Sequence, residues 1–346
     1  MKAAVLTGIR QIAIREVPDP QITGETDVLV RVTAVGVCGS DIHYYTDGRI
    51  GTQVVKFPFT VGHESAGVVE KVGSRVTRVK PGDRVAVDPS DFCGHCDQCL
   101  AGRENTCRHL AFLGCPGQLS GSLSQYIVMH EHCCFPIPDA MSFEEAALSE
   151  PLAIGVYAVE RTLPASGGAA VILGFGPVGV SVRHALRARG VENISVTDKI
   201  PERIGFASRL GAVWAGPPTA PDATTEILSR VPLGADVVYE CSGDPAALQQ
   251  GIDLCRPGAR LVIVGIPEED EISLPVHELR RREITLYNIR RQAGCTQKAL
   301  DLIACKKVDL SGMVTHRFAL EETAAAFDLV SEYRDGVMKA MIEVQR

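Results

Sequence analysis

Cys93, Cys96, Cys99 and Cys107 form a C-x2-C-x2-C-x7-C run. Four thiolates at that spacing can close a tetrahedral Zn2+ shell with no vacant position, which is the structural type of site. Glycines and polar residues surround them, so the loop lacks a core of its own and a metal would supply much of its order. Iron–sulfur ligation is the competing chemistry for such a run. A second set is dispersed: Cys38 in Val37-Cys38-Gly39-Ser40-Asp41, His63 and Glu64 in Gly62-His63-Glu64, and Glu150 before Pro151. Each is weak alone, since a lone cysteine is ordinarily core and a Gly-His-Glu triplet can be a turn. One thiolate, one imidazole and one or two carboxylates would leave a position open for water or substrate, as a catalytic zinc requires.

The third signal is Gly174-Phe175-Gly176-Pro177-Val178-Gly179, a G-x-G-x-x-G run directly after an apolar stretch that ends at Leu173. The first glycine permits a tight turn and the second lets the backbone approach a pyrophosphate. The third allows close helix-to-strand packing, while the helix N-terminus offers amide donors and positive dipole. Pro177 suits the first helical turn, where a missing N–H costs nothing. Asp198 stands 24 residues beyond Gly174, at the end of the next apolar stretch. A carboxylate there can accept from a ribose 2′-hydroxyl and repels a 2′-phosphate, which favours NAD over NADP. Lys199 and Arg203 lie nearby and act the other way, and a helix cap is the plainer role for Asp198.

These groups need elements to position them. Val28–Val35, Ser65–Val72 and Arg84–Val87 read as strands, separated by turn signals such as Pro81-Gly82-Asp83. The first 150 or so residues are therefore expected to form an irregular, mostly antiparallel β domain. From Gly167 short apolar strands alternate with helix-length segments, the pattern of βαβ units. Six strands are expected there, at 170–173, 194–197, 212–214, 236–239, 260–264 and 284–288, the full complement of a doubly wound dinucleotide domain. Helices near 296–304 and 321–330 and a last strand at 339–344 should return to the first domain, and 217–221 reads as a surface loop.

Several segments occur in the order found in the zinc-containing medium-chain dehydrogenases: Cys38-Gly-Ser-Asp-Ile-His-Tyr44, Gly48-Arg49-Ile50-Gly51, Val54-Val55-Lys56, Gly62-His63-Glu64, the four-cysteine run, Glu150-Pro151-Leu152 and the glycine turn. The chain resembles that family over essentially its whole length, and within it looks most like the sorbitol (polyol, L-iditol) dehydrogenases. The resemblance implies an α/β fold made of a GroES-like β-rich catalytic domain, 1–153 and 290–346, with a zinc lobe at about 90–110, and a Rossmann domain, 154–289, with a six-stranded parallel sheet. It implies catalytic zinc ligands at Cys38, His63 and Glu64, with Glu150 as an additional or alternating ligand, and the two glutamates stay unranked. Asp41 would orient the ligand histidine. Ser40 and His43 would relay the alcohol proton, Val264-Gly265-Ile266 would offer backbone to the nicotinamide, and Tyr44 and Arg290 would hold substrate hydroxyls. Homo-oligomers, dimers or tetramers, are also implied.

The expected activity is oxidation of a secondary hydroxyl of a polyol to the ketone, with one catalytic and one structural Zn2+ and with NAD. Threonine or butanediol dehydrogenases share the metal and cofactor signals, a zinc-free quinone reductase would lack the ligand sets, and a nonenzymatic NAD-binding protein is the reading from another class. Composition narrows the field in the same direction. Hydrophobic residues make up 45% and charged residues 22% of 346, ordinary globular usage that excludes wholesale disorder. With 35 basic against 42 acidic residues and no basic tail, nucleic acid is not expected as a partner. Neither a signal peptide nor a membrane span is apparent, so a cytoplasmic address and reduced thiols are expected for all 12 cysteines.

Overall fold

In the computed structural model, residues 1–219 and 223–345 are described. Residues 220 and 221 of the expected 217–221 loop lie outside them. The chain divides into two compact units, Met1–Glu150 with Thr296–Arg346, and Pro151–Cys295. Arg290 therefore belongs to the second.

The first unit is built on a seven-stranded sheet in the order Cys134–Pro136, Arg84–Val87, Glu64–Val72, Asp27–Gly36, Lys339–Glu343, Val314–Ala319, with Tyr126–His130 also paired to Asp27–Gly36. Alternation decides the inward face: Val28, Val30, Val32 and Ala34 are all buried along the central strand. The pairings are antiparallel except that of Val314–Ala319 with Lys339–Glu343, which is parallel. The C-terminal strand thus docks beside the central one, with Met341 opposite Gly36. A two-stranded ladder, Ser90 opposite Phe112 and Asp91 opposite Ala111, closes the base of the loop that carries the four clustered cysteines.

The second unit holds a six-stranded sheet whose pairings are all parallel. Counted from Ala169–Leu173, its order is 3-2-1-4-5-6, that of a doubly wound dinucleotide fold. One expected strand moves. The segment expected at 212–214 forms a strand at Trp214–Gly216, because the end of the preceding helix claims its first amide. Gly211, at φ +81°, turns the chain, and the Ala212 N–H donates back to Ala207 O at 3.1 Å. Among the described residues no helix is long and apolar enough to cross a membrane.

Candidate functional site

Strand register assembles the first cluster. Gly36 lies opposite Glu64 in the antiparallel pair, so Cys38, two residues past one strand's end, meets His63, one residue before the other's start. The donor atoms of Cys38, His63 and Glu64 all lie within 4.8 Å of one another. Cys38 is the N-cap of the helix Gly39–Thr46, and Asp41 in its first turn accepts the Cys38 N–H at 3.2 Å. The other Asp41 oxygen accepts the Gly62 N–H at 3.1 Å and stands 3.3 Å from His63 Nδ1. Asp41 is fully buried, so two backbone amides and one imidazole account for a carboxylate that water cannot reach. The contact fixes Nδ1 as the protonated nitrogen and leaves Nε2 as the metal donor. Burial opposes a charged imidazole at His63, but Asp41 and Cys38 outweigh it and hold its pKa well above the usual value. A buried position that so favours positive charge is one a cation fits.

Both glutamates lie close by, and the structure separates them. Glu64 belongs to the converging trio; Glu150, at the start of the helix Ser149–Thr162, is buried nearby but outside it. Burial pushes the Glu150 carboxyl up to about 7, with His63 lowering it and Glu64 raising it. Glu64 has a partner the sequence reading missed: Lys339 Nζ stands 2.7 and 2.6 Å from its two oxygens and donates to Val37 O at 3.0 Å. Lys339 is 2% exposed. A lysine opening the strand Lys339–Glu343, directly before the apolar run Ala340, Met341 and Ile342, was the available signal.

Ser40 and His43 are three residues apart on the helix Gly39–Thr46 and share a face, with His43 Nδ1 3.7 Å from Asp47. Tyr44 is buried, its hydroxyl donating to Gln53 Oε1 at 3.4 Å, while Gln53 Nε2 donates to Cys115 Sγ at 3.0 Å. Gln53 and Cys115 carry no motif and were not foreseen. Arg290, in the other unit, is exposed just past the strand Thr285–Asn288.

In the four-cysteine loop the sulfurs are 4.0 Å apart for Cys93–Cys99, 3.6 for Cys96–Cys99, 3.8 for Cys96–Cys107 and 3.5 for Cys93–Cys107. A tetrahedron with Zn–S bonds of about 2.3 Å has edges of about 3.8 Å, so these thiols fit that ion. Backbone N–H groups of Cys93 and His109 point at Cys107 Sγ, at 3.4 and 3.3 Å. Backbone amides, that of Arg108 first, pull the Cys96 thiol down to about 6, while burial pushes Cys99 up to about 12. Among the described residues no cysteine forms a disulfide.

In the second unit the glycine turn has the geometry a dinucleotide needs. Gly174 has φ +90°, and a Cβ there would lie 2.8 Å from Ser242; at Gly179 a Cβ would collide with the Gly174 carbonyl. Gly176 caps the helix Pro177–Ala188, which opens on Pro177, with no N–H to satisfy, and on Val178 and Gly179, whose N–H groups lack intrahelical acceptors. Asp198 is buried and already accepts the Phe175 N–H at 2.6 Å and the Ile200 N–H at 2.8 Å. It thereby clamps the glycine turn to the end of the second strand, and each oxygen keeps a lone pair for a further donor. Lys199 pairs with Asp244 at 2.6 Å, and the guanidinium of Arg203 lies over Gly176, 3.2 Å from where a Cβ would be. The Val264 and Gly265 amides both donate to Glu240 O, so these residues and Ile266, 42% exposed, have carbonyls to offer a ligand.

Residues 24–139 match the family described as alcohol dehydrogenase GroES-like domain, and 177–305 the one described as zinc-binding dehydrogenase. The chain is 42% identical to the sorbitol dehydrogenase of Bacillus subtilis, covering 100% of this chain and 98% of that protein. It is 35% identical to the sorbitol dehydrogenase of Mus musculus, over 98% and 94%. Among solved structures it resembles an oxidoreductase/dehydrogenase of unknown specificity from Escherichia coli, with a TM-score of 0.94 and 29% identity over 100% and 99% of the two chains.

Proposed function

The chain belongs to the zinc-dependent medium-chain alcohol dehydrogenase family, and from that membership we propose that it is a polyol dehydrogenase, oxidising a secondary hydroxyl to the ketone with NAD. The observation that carries the reading is the convergence of Cys38, His63 and Glu64 with Asp41 behind the histidine, a three-donor set one short of a closed tetrahedral shell. Bound there, zinc supplies a Lewis acid, and NAD supplies the hydride acceptor.

The chain's own residues do the rest. Asp41 keeps His63 in the tautomer that donates from Nε2. Ser40 Oγ takes the substrate's hydroxyl proton as it passes its own to His43, whose ring lies near the Asp47 carboxylate. Glu150, close to the trio, is the alternating carboxylate. Tyr44 and Arg290 hydrogen-bond hydroxyls beyond the reacting carbon. Asp198 accepts from the ribose while Gly174, Gly176, Pro177, Val178 and Gly179 leave space and amides for the pyrophosphate, with Lys199 and Arg203 beside it. Carbonyls of Val264, Gly265 and Ile266 meet the nicotinamide carboxamide. Cys93, Cys96, Cys99 and Cys107 hold a second, structural zinc. The unit Met1–Glu150 with Thr296–Arg346 forms the catalytic part and Pro151–Cys295 the nucleotide-binding part of a cytoplasmic homodimer or homotetramer.

A panel of sugar alcohols, inositols, short diols, threonine and 2-propanol, read by NADH formation, tests this. A polyol should give the highest kcat/KM. Preference for threonine, butanediol or a monohydric alcohol would put the chain elsewhere in the family, and no turnover of any alcohol by protein holding its zinc would end the enzyme reading.

A further inference from the structure

Three groups among the described residues bring metal-ligating atoms within 4.8 Å of one another, and the proposed function uses two. The third is Asp91, His132 and Cys133, beside the ladder that closes the four-cysteine loop. We propose that these three side chains form an additional, exchangeable site for a divalent transition cation of the Zn2+ or Co2+ class. The site stands independently of the dehydrogenase reading.

The geometry of the His132–Asp91 contact is the reason. His132 Nε2 lies 3.3 Å from Asp91 Oδ1, yet this buried nitrogen makes no hydrogen bond among the described residues. Two groups that simply paired would align a proton between them. Two ligands of one ion instead aim their lone pairs at a third point. With metal bonds of about 2.0 Å to nitrogen and oxygen, a tetrahedral N···O edge is about 3.3 Å. A metal would also satisfy the buried nitrogen, which otherwise stays an unexplained cost.

The surroundings hold the donors in place. The His132 ring packs against Phe92 and His130, each with ring centroids 4.3 Å away. The His132 backbone N–H donates to His130 Nδ1 at 3.2 Å, fixing the turn Glu131–Cys133. Asp91 is pinned by its pairing with Ala111. Cys133 is fully buried, with its thiol 3.6 Å from Ser90 O, and its carbonyl accepts the Asp88 N–H. Asp88 is not counted as a fourth ligand, because the donor atoms that converge within 4.8 Å are those of Asp91, His132 and Cys133. Three donors of nitrogen, oxygen and sulfur suit a borderline cation and leave one position for water. The His132 and Asp91 side chains are 22% and 35% exposed, so the ion can enter and leave. Occupancy would tie the 131–133 turn to the foot of the zinc lobe.

The test uses the zinc-loaded full chain equilibrated with excess Co2+ and then with metal-free buffer, counting total metal per chain. Wild type in excess Co2+ should hold three metals, with a sulfur-to-cobalt charge-transfer contribution that disappears in the variants, and should return to two in metal-free buffer. Asp91→Asn, at a half-exposed position, and His132→Gln should each bind the third ion at least about tenfold more weakly while keeping the other two. A wild-type metal count in excess Co2+ no higher than in metal-free buffer would overturn the site, whatever the number of zinc ions held elsewhere. Equal third-ion binding by wild type and Asp91→Asn would mean adventitious surface capture and would overturn it too.

Discussion

Replacing Lys339 with methionine should destabilise the metal-free protein far more than the metal-loaded one. Lys339 is 2% exposed, and its ammonium group donates to three acceptors, both Glu64 oxygens and Val37 O. Methionine keeps most of the stem's volume, so the packing change is small. What remains without metal is a buried carboxylate stripped of the ammonium that bonded both its oxygens, and breaking a buried pair in that way costs about 3–5 kcal/mol. At roughly 2–4 °C per kcal/mol for a domain of this size, the melting temperature of the chelated protein should fall by roughly 6–20 °C. With zinc at Cys38, His63 and Glu64, a second positive charge faces the same carboxylate, and the loss should shrink to about 1 kcal/mol, the scale of one ordinary hydrogen bond. Thermal unfolding of wild type and Lys339→Met, each with and without chelator, gives the four numbers. Glu64→Gln/Lys339→Met supplies the control, because removing both charges should restore at least about 2 kcal/mol of the chelated single variant's loss. An equal loss in chelated and zinc-loaded protein would refute the reasoning and reduce Lys339 to a packing residue.

Protein purified without added metal should contain two zinc ions per chain; mild chelation should remove the one at the open three-donor site first, abolishing turnover while far-ultraviolet circular dichroism persists, and an elemental count of one or none would contradict this. NAD should be preferred over NADP by at least about tenfold in kcat/KM, worth about 1.4 kcal/mol. Asp198→Ala should narrow that ratio and, by stranding the Phe175 and Ile200 amides, also lower the melting temperature; equal use of both cofactors by wild type would sink the assignment. Arg290→Ala should lower kcat/KM for the best polyol by roughly 10- to 150-fold, since a hydrogen bond to a charged group is worth about 1.5–3 kcal/mol, with little effect on 2-propanol. Equal losses on both alcohols would assign Arg290 to structure or cofactor binding. Cys96→Ser should cost the structural zinc and disorder the loop about 90–110, read as increased proteolysis there, whereas intact zinc content would contradict a four-thiolate shell.

Local spacing was enough for the features whose chemistry is local. The four sulfurs are brought together by one short loop, so their pattern announces their geometry. The glycine turn is set by the strand before it and the helix after it, and Gly174 and Gly179 are glycines because of atoms a few residues away or just past the end of the neighbouring strand Ala235–Glu240. Alternating β-branched runs gave the strands, but where the chain's own amides were contested, as at Ala212, the sequence pattern placed the strand start two residues early. Cys38, His63 and Glu64 were legible only through their order in a known family, because their meeting depends on the register of two antiparallel strands that spacing alone does not specify. Nothing in the sequence ranked Glu64 against Glu150, or tied Lys339 to residues some 275 positions earlier. Nor did it single out Asp91, His132 and Cys133. The sequence by itself determined the clustered cysteines, the glycine turn and the family; the tertiary structure decided which carboxylate converges with Cys38 and His63 and which buried lysine balances its charge. The physical reason is that a charge can be buried only beside its partner, and which strands bring partners together is a property of the assembled sheet.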